Sequence, residues 1–263
     1  MATTTLLPQV PAIRPMATPR RGALSTALLL ATAFVALAAV VRSGLTASTE
    51  GRLQSLPVWS AEHGLMPLLR ALEVAFHPDN VAFVGLVIAG AYLLRGQVRV
   101  AGFVVATLWL TRYATSHLKS LVGRERPSWQ YGGHEHVGAA FPSGHASAAA
   151  ALVGVIVVLG LVSATNEGQR RRWTHLAWTR GAIVLVVVGA DRILLGRHYP
   201  TDVLAGCLLA ACITLVVAVL AGLVPARRVE PGTGDAGQSS GAPPLRDHRP
   251  TPAGGDRRSP VRQ

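Results

Sequence analysis

Three short segments of this chain hold residues whose types and spacing suit an anion and a proton. The first is Lys119-Ser-Leu-Val-Gly-Arg-Glu-Arg126-Pro127. Lys119 and Arg126 are seven residues apart, which on a helix puts two cations on one face, two turns apart. Pro127 would end that helix or its extension. The second is Phe141-Pro142-Ser143-Gly144-His145. Ser143 suits a helix N-cap, and Gly144 lets backbone approach a ligand closely. The free N–H groups of a helix start bind phosphate oxygens, and His145 stands where it could donate a proton. The third runs from Asp191-Arg192 through Arg197-His198-Tyr199-Pro200 to Asp202. Asp202 follows His198 by four residues, close enough to accept a hydrogen bond from one ring nitrogen and leave the other free to attack. Each segment alone has a plainer meaning: snorkelling cations, a turn with a cap, a histidine before a helix.

Together they supply a nucleophile (His198), its orienting carboxylate (Asp202) and a general acid (His145). The cations Lys119, Arg126 and Arg192, with Ser143 and the Gly144 backbone, would hold the phosphate. Phosphoryl transfer needs that inventory, because catalysis there is mostly positioning and neutralisation of charge. No carboxylate cluster suggests Mg²⁺ and no Cys/His spacing suggests zinc, so neither metal nor cofactor is expected.

These residues resemble the type 2 phosphatidic acid phosphatase family. Its signature is Lys, six residues, Arg-Pro; then Pro-Ser-Gly-His; then Ser-Arg, five residues, His, three residues, Asp. The matching positions are Lys119, Arg126 and Pro127, then Pro142 to His145, then Arg192, His198 and Asp202. The resemblance implies a phosphohistidine at His198 and leaving-group protonation by His145. One position departs: Asp191 stands where the family usually has Ser. It could pair with Arg192 and weaken its hold on phosphate, or pair with Arg112 and support the site. His117, His134 and His136 read as polar loop or interface residues.

The elements that must position these residues are apolar helices. Half of the 263 residues are hydrophobic and only 14% are charged, against about 25% in a globular protein. That deficit points to a bilayer. The fold expected is all-α, with six spans at Gly22–Val41, Asp79–Leu94, Val98–Leu118, Ser143–Ser163, Gly181–Leu195 and Val203–Val224. The second and fifth are short against the ~20 residues that cross a ~30 Å hydrocarbon core. The first reads as a retained anchor, since no small-x-small cleavage site precedes Arg42. The connection Gly44–Pro78 contains an amphipathic pattern that suits a helix along the membrane surface.

The distribution of Arg places both termini in the cytoplasm and all three motif segments outside. A bacterial plasma membrane is the expected setting. Residues 1–21 and 225–263 are expected to be disordered, flanking a membrane phosphatase domain at 22–224. The net charge of +12 raises nucleic acid, but the Arg residues sit between apolar runs and in the tail, so the expected partners are the bilayer and a lipid phosphate. Lys119 is the only lysine among 25 Lys+Arg residues. Cys207 and Cys212 lie five apart within one apolar run and read as unpaired buried thiols. The expected activity is metal-independent hydrolysis of phosphatidate, phosphatidylglycerol phosphate or a polyprenyl diphosphate such as undecaprenyl diphosphate. Two other readings are a phosphotransferase using an alcohol or sugar acceptor, and a protein that binds lipid phosphate without turnover. The soluble vanadium haloperoxidases related to the family fit poorly with six spans.

Overall fold

The computed structural model describes residues 18–130 and 137–224. Of the residues expected to be disordered, 1–17 and 225–263 lie outside the described residues, as do His134 and His136, whereas residues 18–21 wind into the first turn of α1. Among the described residues there is no strand. The long helices are α1 (Thr18–Arg42), α5 (Pro78–Leu94), α6 (Val98–Val122), α7 (Gly144–Ser163), α8 (Glu167–Leu194) and α9 (Pro200–Leu220). Five of them match the expected apolar runs to within about four residues, and α8 extends well before its run. Three of them, α1 from Arg20, α7 and α9, are long and apolar enough to cross a membrane. The pair α4 (Met66–Ala75) and α5, bent by 46°, makes a fourth candidate. α6 and α8 miss that criterion by composition, because α6 carries Arg99, Arg112 and Lys119, and α8 carries charges through its first and last turns.

Two expectations need correction. α8 begins at Glu167 rather than Gly181. Asn166 caps it by accepting from the Gln169 N–H at 2.8 Å, so the Arg170–Trp178 stretch winds into the helix instead of looping. The connection before α5 is also not one amphipathic helix. It breaks into α2 (Ala47–Glu50), a 3₁₀ turn (Gly51–Leu53), α3 (Leu56–Glu62) and α4. Pro57 and Pro67 start two of these pieces, and Gly64, at φ +70°, separates them. Ser60 then ties α3 to α8 by donating to the Leu194 carbonyl at 3.1 Å.

α7 packs against α5, α6, α8 and α9. Its buried face is built of small residues, Ala146, Ala149, Ala150 and Ala151, which let neighbouring backbones approach. One such approach, backbone to backbone, is at its first turn. A Cβ on Gly206 of α9 would stand 2.8 Å from the Ser143 carbonyl and 3.0 Å from the Ser147 nitrogen. Both are backbone atoms that cannot swing aside. The Ser143 N–H donates to the Asp202 carbonyl at 2.9 Å, so this contact fixes the start of α7 against the start of α9. Overpacking a tight interior costs roughly 1–3 kcal/mol. Gly206→Val is therefore expected to lower the melting temperature of the detergent-solubilised protein, whereas a side chain at the open Gly102 position should not; a thermal melt of both variants checks this.

Candidate active site

All three motif segments meet at one end of the bundle, where α6 and α8 finish and α7 and α9 begin. α9 starts after Tyr199 with Pro200 in its first turn. His198 precedes it in the loop and is 4% exposed. Its Nδ1 stands 3.5 Å from Asp202 Oδ2, and its Nε2 stands 3.3 Å from Arg126 Nη1. The ring therefore turns one nitrogen to a carboxylate, within reach as the four-residue spacing suggested, and the other to a cation that the spacing did not indicate. Burial pushes the His198 imidazole down to about 4; Asp202 opposes that shift, and Arg126 and Lys119 add to it. His198 is neutral, with a lone pair on one nitrogen, at any pH well above that value.

Asp202 has no exposure and is held on both oxygens. Oδ2 accepts the Tyr199 N–H at 2.9 Å, and Oδ1 accepts from Arg124 at 2.6 Å.

Arg126 reaches the site by a route the spacing did not foresee. α6 stops at Val122, because Gly123 takes the left-handed conformation (φ 64°) and its N–H donates to the Lys119 carbonyl at 2.9 Å. Lys119 and Arg126 thus do not share a helix face. Lys119 projects from the last turn of α6 and donates to the Ala139 carbonyl at 2.7 Å. Arg126 folds back from the following segment and donates to the Arg197 carbonyl at 2.9 Å. The two cations still converge, each within electrostatic reach of Asp202.

Ser143 occupies the N-cap position, but its hydroxyl caps nothing. Its Oγ is buried and has no hydrogen-bond partner among the described residues. The N–H groups of the first turn of α7 are open in the same way. A Cβ on Gly144 would meet only Pro78 Cγ at 3.8 Å, so protein atoms leave this face clear. His145, one residue on, is 7% exposed and sets its Nε2 3.2 Å from the Glu73 carbonyl. Its ring meets His77 edge-on at 5.5 Å.

Arg192 is the residue most changed by the structure. It has no exposure, and Asp191 Oδ2 takes two of its donors, Nε at 2.8 Å and Nη2. Glu73 Oε1 accepts from its Nη1 at 3.0 Å. The proposed Asp191–Arg112 pair does not form. Arg112 lies on an exposed part of α6 and bonds Asp79 at 2.5 Å. Asp191 satisfies the nearest buried cation, its own neighbour. Arg197, also buried, approaches the same Glu73 oxygen at 3.6 Å.

Glu50, Glu73 and Arg124 were missed as site residues. Glu50 is 4% exposed, and a carboxylate that enters the interior does so paired. The readable signal was three acids, Glu50, Glu62 and Glu73, in a mostly apolar connection. His117 is exposed and tilts against Tyr113 at 3.9 Å, as a surface residue would. Cys207 and Cys212 are unpaired and half-buried.

The PAP2 superfamily model matches residues 100–223, the stretch that holds all three motif segments. Residues 100–223 form a PAP2 superfamily domain. The fold agrees with a solved structure described as the first transmembrane PAP2 type phosphatidylglycerolphosphate phosphatase from Bacillus subtilis. The two share a TM-score of 0.65 and 22% identity, over 77% of this chain and 99% of that one. No curated protein matches the chain. The PAP2 match begins inside α6, so α1 to α5, with Glu50 and Glu73, lie outside it.

Removing one member of a buried charge cluster costs about 3–5 kcal/mol, because its partners stay buried and unpaired. Arg192→Leu, which strands Asp191, is expected to cost that much and to lower the melting temperature sharply. Arg112→Leu, at an exposed pair worth about 0–1 kcal/mol, should change it little; parallel thermal melts in detergent decide between them.

Proposed function

We propose that this chain is a membrane lipid phosphatase that cleaves a phosphomonoester or diphosphate through a phosphohistidine on His198. The observation that carries the reading is the ring of His198, with Nδ1 toward Asp202 and Nε2 toward Arg126 in a cluster of cations. The Nε2 lone pair attacks phosphorus, and the bond to the lipid oxygen breaks. His145 gives that oxygen a proton, so the lipid leaves as an alcohol, or as a monophosphate when the substrate is a diphosphate. Water then attacks the phosphohistidine, His145 takes its proton, and inorganic phosphate leaves with His198 restored. Lys119, Arg126, the Ser143 hydroxyl and the α7 N–H groups hold the equatorial oxygens. Arg192 joins them when the phosphate takes the place of Glu73 on its Nη1. These cations supply the charge neutralisation that a metal gives elsewhere.

A lipid substrate is supported by a second observation. A cavity of about 410 Å³ lies between α5, α6 and α7, lined by Val81, Ala82, Leu86, Val105 and Leu108, and it reaches Lys119 and Gly144 at its polar end. An acyl or prenyl chain fits such a groove with its phosphate at the cations. The full topology of this reading has six crossings, with α4–α5 as one, both termini cytoplasmic and the site facing outside a bacterial plasma membrane. Phosphatidate, phosphatidylglycerol phosphate and polyprenyl diphosphates are the substrate classes. Charges in α6 and α8 then sit at the interface or in pairs.

His198→Ala should abolish phosphate release from a lipid phosphate panel without added metal, and vanadate should inhibit the wild type as a mimic of the transition state. Activity retained in His198→Ala would overturn the mechanism. Because the nucleophile must be neutral, kcat/KM should hold on the acid side down to about pH 5 and fall as pH drops through about 4, which a pH–rate profile measures. Ala82→Trp, which fills the groove, should raise KM for long-chain lipid phosphates while sparing a short-chain soluble ester; equal effects on both would remove the groove from the reading.

A further inference from the structure

The carboxylate behind His198 has a support of its own. Arg124 Nη1 donates to Asp202 Oδ1 at 2.6 Å and to Thr201 Oγ1 at 2.7 Å. Its Nη2 donates to Glu50 Oε2. The other Glu50 oxygen accepts the Thr201 hydroxyl at 2.7 Å and the Thr201 N–H at 3.3 Å. The guanidinium carbon lies 3.9 Å above the Tyr199 ring. Arg124, Thr201 and Glu50 therefore close a ring of hydrogen bonds. The Arg124 side chain is 13% exposed and that of Glu50 is 5% exposed.

We propose that Arg124 and Glu50 are positioning residues for the His198 reaction, locking the Asp202 carboxylate so that its Oδ2 stays aimed at Nδ1. The proposal rests on the phosphatase reading above and adds Glu50, outside the three motif segments, and Arg124, one of the six positions that the Lys119–Arg126 spacing leaves unspecified. With Oδ2 held by the Tyr199 N–H and Oδ1 by Arg124, the carboxylate cannot rotate without breaking a buried bond. Glu50 does the same for Arg124. It also sets the charge behind the nucleophile. Glu50, Arg124 and Asp202 sum to one negative charge, which favours the positive ring formed when His198 carries a phosphoryl group.

The pair also controls when His198 loses its proton. The charged and titratable groups facing the His198–Asp202 pair are Lys119 from α6, Arg124 and Arg126 from the segment after it, and Glu50 from α2. His145 faces it from α7, Arg192 and Arg197 from the end of α8, and Tyr199 from the loop. Against that fixed background, removing the Arg124 cation favours protonation, and removing the Glu50 anion opposes it. The acid limb of the pH–rate profile should move up in Arg124→Gln and down in Glu50→Gln.

A rival role exists, because Arg124 borders an open basin with Lys119 and Arg126 and could hold phosphate directly. The experiment compares full-length wild type, Arg124→Gln, Arg124→Lys and Glu50→Gln in detergent, reading kcat, KM, vanadate inhibition and the pH profile. The expected result is a kcat lowered roughly 10- to 100-fold in Arg124→Gln, as when the outer partner of an oriented histidine is lost. KM and vanadate inhibition stay unchanged, Arg124→Lys recovers part of kcat, and the two Gln variants shift the acid limb in opposite directions. A loss carried by KM and vanadate affinity makes Arg124 a phosphate ligand and overturns the proposal. Lowered stability with an unmoved acid limb reduces it to scaffolding and overturns it as well. If Arg124→Gln does not fold, the isosteric Glu50→Gln decides by its acid limb alone. The pH dependence of His198 modification by diethylpyrocarbonate, read by peptide mass spectrometry, gives the same shifts without turnover. A wild type that cleaves no lipid phosphate would sink the phosphatase reading, and the labelling shifts would still decide this one.

Discussion

A carboxylate with no solvent exposure sits in the first turn of an apolar helix, and the bundle end is organised around satisfying it. Asp202 cannot stay ionised there unless its oxygens are bonded and a counter-charge is near. Its own helix contributes the Tyr199 N–H and the positive end of the α9 dipole. The segment after α6 contributes Arg124, and the loop contributes His198. The Asp202 carbonyl accepts the Ser143 N–H, which pins the start of α7. One residue therefore fixes three helix ends, and His198, Arg124 and the start of α7 come into register through it.

A second buried cluster sits beside the first and works in the opposite sense. Arg192 is surrounded by acids, Asp191 on one side and Glu73 on the other, with Arg197 sharing Glu73. In the Asp202 cluster a carboxylate faces a histidine. In the Arg192 cluster two acids surround a cation. Asp191 takes Nε and Nη2 of Arg192 on one oxygen, Oδ2, and is buried. Glu73 accepts from Nη1 at 3.0 Å and keeps some solvent exposure. The departure at Asp191 thus gives Arg192 a neighbouring carboxylate that locks its side chain.

Most of the bundle was legible because its information is local. The apolar runs of α1, α5, α6, α7 and α9 match the helices to within a few residues, and the His198–Asp202 spacing holds because both residues flank one helix start. The misses share a cause. Helix periodicity assumed that Lys119 and Arg126 share a helix, and one left-handed glycine at 123 ended it between them. Asp191 was matched to Arg112 by depth along a helix, whereas the pairing went to the cation already buried beside it. Glu50 and Glu73 were hidden because nothing in their own neighbourhood says where an acid will be buried. Their partners lie 74 and 119 residues away in the chain.

Those two acids lie outside the stretch that the family model matches. The PAP2 match covers residues 100–223, which include His198, Asp202, His145, Arg124 and Arg192. Glu50 and Glu73 come from the connection between α1 and α5, before the match begins. The matched region thus holds the His198–Asp202 pair and the cations around it, but its buried Arg124 and Arg192 clusters are closed by carboxylates from outside it. A buried cation left without them would bear a desolvation cost of several kcal/mol. That connection was read from its sequence as a surface helix. Its division into short pieces at Pro57, Gly64 and Pro67 is what lets it turn inward twice, once at Glu50 onto α9 and once at Glu73 onto α8. The same pieces lead into α5, which lines the apolar groove. The cavity wall at α5 and the setting of Asp202 therefore depend on one segment, and a change in its length or breaks would alter both together.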